Sequence, residues 1–204
     1  MRPLVFATAF ANNPQRYNDW ISFYKENLPE VDLLLSYDGP SDHLVPTDIK
    51  TLEFLDSLGK LSAWVFPGWK RSFKNALDFA VKNGYSKIAH IESDCYLTPK
   101  GLDNFVANLN SPGYKTGYSP TYRFPETAIQ VFNDLSVVDV YRGRYSNPIY
   151  FYENIDFEHM VEDNFHPTIF LKGDRFEDRP ERVMSDFDYL AQCSLSDFRK
   201  FFPK

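Results

Sequence analysis

The spacing of apolar and polar positions changes several times in the first hundred residues, and each change marks an element. Leu4-Val5-Phe6-Ala7-Thr8-Ala9 is an apolar run too short for a helix and suited to a buried strand. Asn13-Pro14 then joins a capping side chain to a proline at the first helical position. Tyr17, Trp20, Ile21, Tyr24 and Leu28 follow at helical spacing. Val31 to Ser36 is a second apolar strand, ended by Asp38-Gly39-Pro40. A helix is expected over Asp48 to Leu58, stopped by Gly59, and a short strand over Ala63 to Phe66, stopped by Pro67-Gly68. Phe73, Ala76, Leu77, Ala80 and Val81 form the core stripe of a further helix that Gly84 closes. Ile88-Ala89-His90-Ile91 is the next buried strand.

Alternation of this kind predicts an α/β fold: a mainly parallel central sheet with helices on both faces. After Pro99 the pattern loosens. Leu102 to Leu109 reads as a helix, and the stretch from Tyr114 to Tyr152 is dense in Tyr, Phe, Pro and Arg. Strand-like pieces lie around Ile129–Phe132 and Val137–Tyr141. No repeat, low-complexity tract or linker divides the chain, so residues 1–204 are expected to form a single domain.

Composition narrows the picture only slightly. The 204 residues are 43% hydrophobic and 25% charged, which is ordinary for a globular domain with a sizeable core. A net charge of −6 offers no general counter-ion surface and argues against a nucleic-acid partner. Two cysteines, Cys95 and Cys193, make neither a disulfide framework nor a metal-ligand pattern, which points to a reducing, cytoplasmic setting. Cys95 reads as a small hydrophobe beside a strand end rather than a nucleophile. The first eleven residues imitate a signal peptide, yet they serve the pattern better as its first strand. No apolar run is long enough to span a bilayer.

The candidate chemistry gathers where strands end. Past Ile91 come Glu92-Ser93-Asp94, two carboxylates two residues apart. Carboxylates at the carboxyl end of a central strand lie where open α/β sheets bind ligands. Such a pair can hold a hard divalent cation and leave coordination positions for substrate phosphates. The first strand runs out into Thr8-Ala9-Phe10-Ala11-Asn12-Asn13, with Arg16 one turn later. The second ends in Tyr37-Asp38-Gly39-Pro40-Ser41-Asp42, an acidic turn able to accept hydrogen bonds from a base or ribose. The third leads into Pro67-Gly68-Trp69-Lys70-Arg71-Ser72, where a glycine, two cations and free helical N–H groups suit a phosphate. Each has a plainer alternative: Asp38-Gly39 as a tight turn, Lys70 and Arg71 as solvated cations.

In order and spacing these motifs resemble the GT-A class of sugar-nucleotide-dependent glycosyltransferases, over residues 3 to 110. That class shows an apolar strand followed by Asp-Gly-Ser-x-Asp, matched by Leu33 to Asp42. A glycine, a basic residue and an asparagine then lead a helix, matched by Gly68, Arg71 and Asn75. Its Asp-x-Asp motif corresponds to Glu92-Ser93-Asp94, and Asn18 to Tyr24 looks like its first helix. Glu92 replaces the usual first aspartate, and Pro40 interrupts Asp-Gly-Ser, which leaves Asp38 the better counterpart than Asp42.

The resemblance implies a single GT-A (Rossmann-like) domain, with residues 1–110 holding a nucleotide sugar and 111–204 shaping an acceptor site. It implies that Asp94 binds Mn²⁺ or Mg²⁺ bridging the donor diphosphate, and that Glu92 contacts the ribose or a metal-bound water. Asp38, Tyr37 and the Thr8, Ala9 and Phe10 backbone would hold the nucleoside. Arg16, Gly68, Arg71, Asn75 and Ser93 would complete the donor site. The donor is expected to be a UDP-hexose such as UDP-glucose, and the acceptor a glycan or glycoconjugate. The late Glu162-Asp163 pair offers a general base for an inverting reaction, with Asp186 of Ser185-Asp186-Phe187-Asp188 as its rival, and His166 is a candidate metal or phosphate ligand. A sugar nucleotidyltransferase would place a glycine-rich, basic signature after the first strand, which Thr8–Asn13 lacks. A catalytically silent sugar-nucleotide or glycan-binding module would not need both Glu92 and Asp94.

Overall fold

The computed structural model describes residues 2–10, 13–40, 49–62, 65–154, 161, 165–176 and 186–203. Strand β1 (Leu4–Phe10) leads into helix α1 (Pro14–Asn27), and β2 (Asp32–Asp38) and β3 (Lys50–Leu52) follow. Helix α2 (Pro67–Lys82) precedes β4 (Ile88–Ile91), the two-residue β5 (Tyr96–Leu97) and helix α3 (Pro99–Leu109). Then come β6 (Gly113–Ser119), β7 (Phe124–Asn133), helix α4 (Leu135–Arg144) and a 3₁₀ turn at Pro148–Tyr152. β8 (Thr168–Arg175), β9 (Tyr189–Ala191) and helix α5 (Leu195–Phe201) complete the described elements.

The strands form one mixed sheet in the order β3-β2-β1-β4-β7-β6-β8-β9-β5. Its first part is parallel, as the alternating pattern implies: β1 pairs with β2 and β4, and β2 with β3. Beyond β4 the expectation of a mainly parallel sheet needs correction. β7 runs antiparallel to both β4 and β6, and β5 antiparallel to β9, while β8 is parallel to β6 and β9. A short hairpin joins β6 to β7, and a short connection can only produce an antiparallel pair.

Alternate residues along the strands feed two cores. Val5, Ala7, Ala9, Leu33, Leu35 and Tyr37 pack beneath α1, α3 and α5. Leu4, Phe6 and Leu34 pack beneath α2 and α4. Helices therefore cover both faces. Asn13 caps α1 by accepting from Arg16 N at 3.1 Å, and Thr98 caps α3 by accepting from Gly101 N at 3.1 Å. Position 101 requires glycine because a Cβ there would stand 1.7 Å from the Asp188 carbonyl oxygen.

Three local expectations fail. The helix expected over Asp48–Leu58 is absent from its described part. Lys50–Leu52 is instead the edge strand β3, and the N–H groups of Leu58 and Gly59 turn toward the Asp38 carboxylate. Residues 65 and 66 of the expected strand at Ala63–Phe66 are not strand, Phe66 being the N-cap of α2; residues 63 and 64 lie outside the described residues. Val137–Tyr141 is helical, within α4. Asp134 accepts from Ser136 N at 3.0 Å, and Val137, Val138 and Tyr141 share the buried face. Their β-branched character yields to burial at helical spacing.

Candidate functional site

Parallel registry aligns the carboxyl ends of the central strands. Asp38 of β2 stands opposite Phe10 of β1, and β1 pairs on its other side with β4 through Phe6 and His90, four residues before Asp94. The segment Glu92–Asp94 thus emerges beyond β4 at the edge where β1 delivers the chain into α1. The sheet then curls until β5, immediately after this segment, adds to its far end beside β9. Cys193 N donates to Asp94 O at 3.0 Å across that junction.

At this edge charges alternate. Arg16, in the first turn of α1, places Nη1 3.0 Å from Asp94 Oδ2. Glu126, near the start of β7, is buried and accepts from Arg175 Nε at 3.0 Å and from Ala128 N at 3.2 Å. Glu92 N donates to Ala128 O at 2.8 Å, so the acidic segment and the Glu126 strand are stitched together. Burial pushes the Asp94 carboxyl above its ordinary range and the charge of Glu126 adds to the rise, while Arg16 and Arg175 oppose it. Glu126 and Arg175 carry no motif in the sequence. Their place follows from strand pairing, which an antiparallel β7 and a parallel β8 establish only once the sheet is formed.

Asp38 has a different setting from the one its turn suggested. It is fully buried. Its Oδ1 accepts from Leu58 N (3.1 Å) and Arg71 Nη2 (2.6 Å), and its Oδ2 from Ser57 Oγ (2.8 Å) and Gly59 N (2.7 Å). A carboxylate offers about four acceptor positions, so these donors fill them. Gly68 lies against it so closely that a Cβ would come within 2.0 Å of Oδ2. Gly68 N donates to Gly59 O at 3.1 Å. Asp38, Gly68 and Arg71 do come together, with the Asp38 carboxylate in the place at the start of α2 that suited an anion. Arg71 also bonds Asp56 and stacks on Phe54, 3.9 Å from the ring centroid. Asn75 lies one turn further along α2 and is half-buried. Lys70 is not solvated: it is buried, donates to Glu153 O at 2.7 Å, and desolvation lowers its pKa.

Tyr37 precedes Asp38 in the same strand and so faces the opposite side of the sheet. It is buried against Tyr17, edge to face at 5.4 Å, and its hydroxyl has no partner among the described residues. Thr8 and Ala9 are buried within β1, and Ser93 is buried between the two carboxylates.

The late candidates divide. Glu162 and Asp163, like Ser41, Asp42 and Ser185, lie outside the described residues. Asp186 is exposed, and its neighbour Asp188 is buried and accepts from Lys172 N and Asn104 Nδ2 at 2.9 and 3.1 Å; this stretch leads into β9. His166, the candidate metal or phosphate ligand, is placed by the strand order. It precedes Thr168, which pairs with Lys115, which pairs with Val131, which pairs with Ala89. His166 therefore sits near the amino-terminal edge, roughly 15 Å or more from the acidic segment along the strand direction. Cys95 and Cys193 are buried and unbridged, and burial raises the Cys95 thiol, against nucleophilic use.

Among the described residues no three His, Cys, Asp or Glu side chains cluster as a metal cage, and no helix is long and apolar enough to cross a membrane. Glu92 and Asp94, each partly exposed just past the strand end, nevertheless fit a cation that would complete its shell from phosphates and water. The guanidinium on Asp94 shows that this carboxylate accepts a cation in the fold.

Compared by sequence, the chain matches no protein-family model and no curated protein. Compared by structure, it shares its fold with solved glycosyltransferases. One is a glycosyltransferase involved in the glycosylation of the major capsid of PBCV-1, at TM-score 0.55 and 12% identity, covering 98% of each chain. Another is the galactosyltransferase LgtC in complex with donor and acceptor sugar analogs, at TM-score 0.55 and 8% identity, covering 95% of this chain and 87% of that one. A third is the apo form of GlyE from Streptococcus pneumoniae TIGR4, at TM-score 0.50 and 11% identity, covering 95% of this chain and 55% of that one.

Proposed function

We propose that a protein with this fold and this acidic strand end is a nucleotide-sugar-dependent glycosyltransferase. The observation that carries the reading is the position of Glu92-Ser93-Asp94, immediately beyond the carboxyl end of the central strand β4, which pairs with β1. The similarity to glycosyltransferases of known structure supports it. A UDP-hexose such as UDP-glucose is the donor we favour, and a glycan or glycoconjugate the acceptor.

In this reading Asp94 and Glu92 hold Mn²⁺ or Mg²⁺, which would neutralise charge on the departing diphosphate. The anomeric C–O bond to the nucleotide breaks, and an acceptor hydroxyl oxygen takes its place and loses its proton. Arg16 lies beside Asp94 and offers a donor fork for phosphate oxygens. The β1 strand end at Phe10, with Tyr37 in the adjacent strand β2, is our candidate for the nucleoside contacts. Asp38, Gly68 and Arg71 support this edge from behind by closing the chain after β3 onto α2. Glu126, with Arg175, borders the acceptor side. Glu162 and Asp163 remain our candidates for the base.

Calorimetry with a panel of nucleotide sugars, with and without Mn²⁺, tests the reading. We expect Mn²⁺-dependent binding of a UDP-sugar and its loss in Asp94→Asn, with the fold retained because Asp94 reaches solvent. Unchanged Mn²⁺-dependent UDP affinity in that variant would remove the assignment.

A further inference from the structure

Arg16 occupies an unfavourable position for a cation. It lies in the first turn of α1, where the helix dipole favours negative charge, and no acidic residue shares that turn. What holds it is Asp94, at 3.0 Å, with the Arg16 side chain 44% exposed and Asp94 18% exposed. Its backbone is already used in the cap with Asn13, so only the long side chain is free to choose a partner. Glu126, which also acts on Asp94, is itself paired with Arg175, and Asp19 on the same helix accepts from Gln15.

Among the described residues Asp94 Oδ2 accepts from the Arg16 guanidinium, and a divalent cation taking that oxygen would meet the Arg16 charge within a few ångströms. The two cations repel at that range, and the partly dry surroundings of Asp94 weaken screening. One of them must leave. A nucleoside diphosphate arriving with the metal offers the released guanidinium a better partner, bidentate and doubly anionic.

We infer that Arg16 is a resident counter-ion of Asp94 that gives way to the divalent cation and transfers to the donor diphosphate, so that metal and nucleotide bind cooperatively. This rests on the proposed function, whose metal and donor it couples. In the free protein the ion pair lowers affinity for metal alone. With nucleotide present the same side chain raises affinity for the metal–nucleotide pair, and linkage requires the enhancement to be mutual.

The test is titration with Mn²⁺, following the electron paramagnetic resonance signal of free Mn²⁺, with and without UDP. Arg16→Gln removes the charge at a half-exposed site and keeps the cap, which uses only backbone. It should bind Mn²⁺ alone about fivefold more tightly than the native protein, the ~1 kcal/mol of a partly exposed ion pair. The factor by which UDP tightens Mn²⁺ binding should fall about tenfold or more. Arg16→Lys, which keeps the charge, should bind Mn²⁺ alone nearly as the native protein does, a recovery that a merely structural role for Arg16 would not produce. Mn²⁺ binding no tighter in Arg16→Gln, or an undiminished UDP enhancement, overturns the inference while leaving the glycosyltransferase reading intact. Absence of any Mn²⁺-dependent UDP binding in the native protein overturns both.

Discussion

Replacing Asp38 separates a ligand-binding carboxylate from one that holds the fold together. In Asp38→Ala four donors lose their acceptor at once: Leu58 N, Gly59 N, Ser57 Oγ and Arg71 Nη2. Each hydrogen bond to a charged group contributes about 1.5–3 kcal/mol, but the four act as a unit and their values do not add. The closer guide is the buried ion pair, since Asp38 is fully buried and Arg71 only 13% exposed. Removing one partner of such a pair costs about 3–5 kcal/mol because the other charge is stranded. Arg71 keeps Asp56 and its stack on Phe54, which places the expected loss near ~3 kcal/mol, toward the lower end. Asp38→Asn should cost less, since its amide oxygen still accepts while its NH₂ faces two donors. Urea unfolding gives the stability change, and limited proteolysis should show earlier cleavage between residues 53 and 62, whose middle Asp38 ties down through Ser57, Leu58 and Gly59. UDP binding is measured in parallel on the folded fraction. A variant of native stability that has lost UDP affinity would refute the staple and return Asp38 to the nucleoside.

The remaining predictions concern the core. His90 is fully buried among Phe6, Trp69 and Phe73, and burial pulls its pKa from 6.5 down to about 3. The unfolded chain therefore takes up the proton first, so the stability His90 contributes is full above pH 6.5 and falls toward pH 3. The loss should approach ~1.4 kcal/mol per pH unit within that window. Urea midpoints at pH 6.5 and 4.5 should converge by roughly 2–3 kcal/mol between the native protein and His90→Leu, and parallel profiles would contradict the assignment. Gly101→Ala drives a methyl into the Asp188 carbonyl and should cost about 2–3 kcal/mol, because backbone rather than a flexible side chain must move; native thermal stability would show that α3 can shift freely.

Much of this protein was legible in its sequence because the relevant forces are local. Strand β1, helix α1, strand β2, helix α2 and strand β4 announce themselves by period, proline and glycine, since each buries one face or stripe and ends where the backbone must turn. Parallel order then places Glu92 and Asp94 at one edge with Asp38 and the start of α1, and this much follows from alternation alone. The tertiary structure decided what each group meets. Asp38 reads the same in sequence whether it faces solvent, a ribose or Arg71; only the return of residues 57–59 selects among them. Val137–Tyr141 carries a strand propensity that the core of α2 and α4 overrules. Glu126 and Arg175 lie 49 positions apart and pair only because β7, β6 and β8 are neighbours in one curled sheet. The same registry places His166 near the amino-terminal edge, away from Glu92 and Asp94. Electrostatic and hydrogen-bonding partners far apart in the chain are set by strand order, and no period along the sequence encodes it.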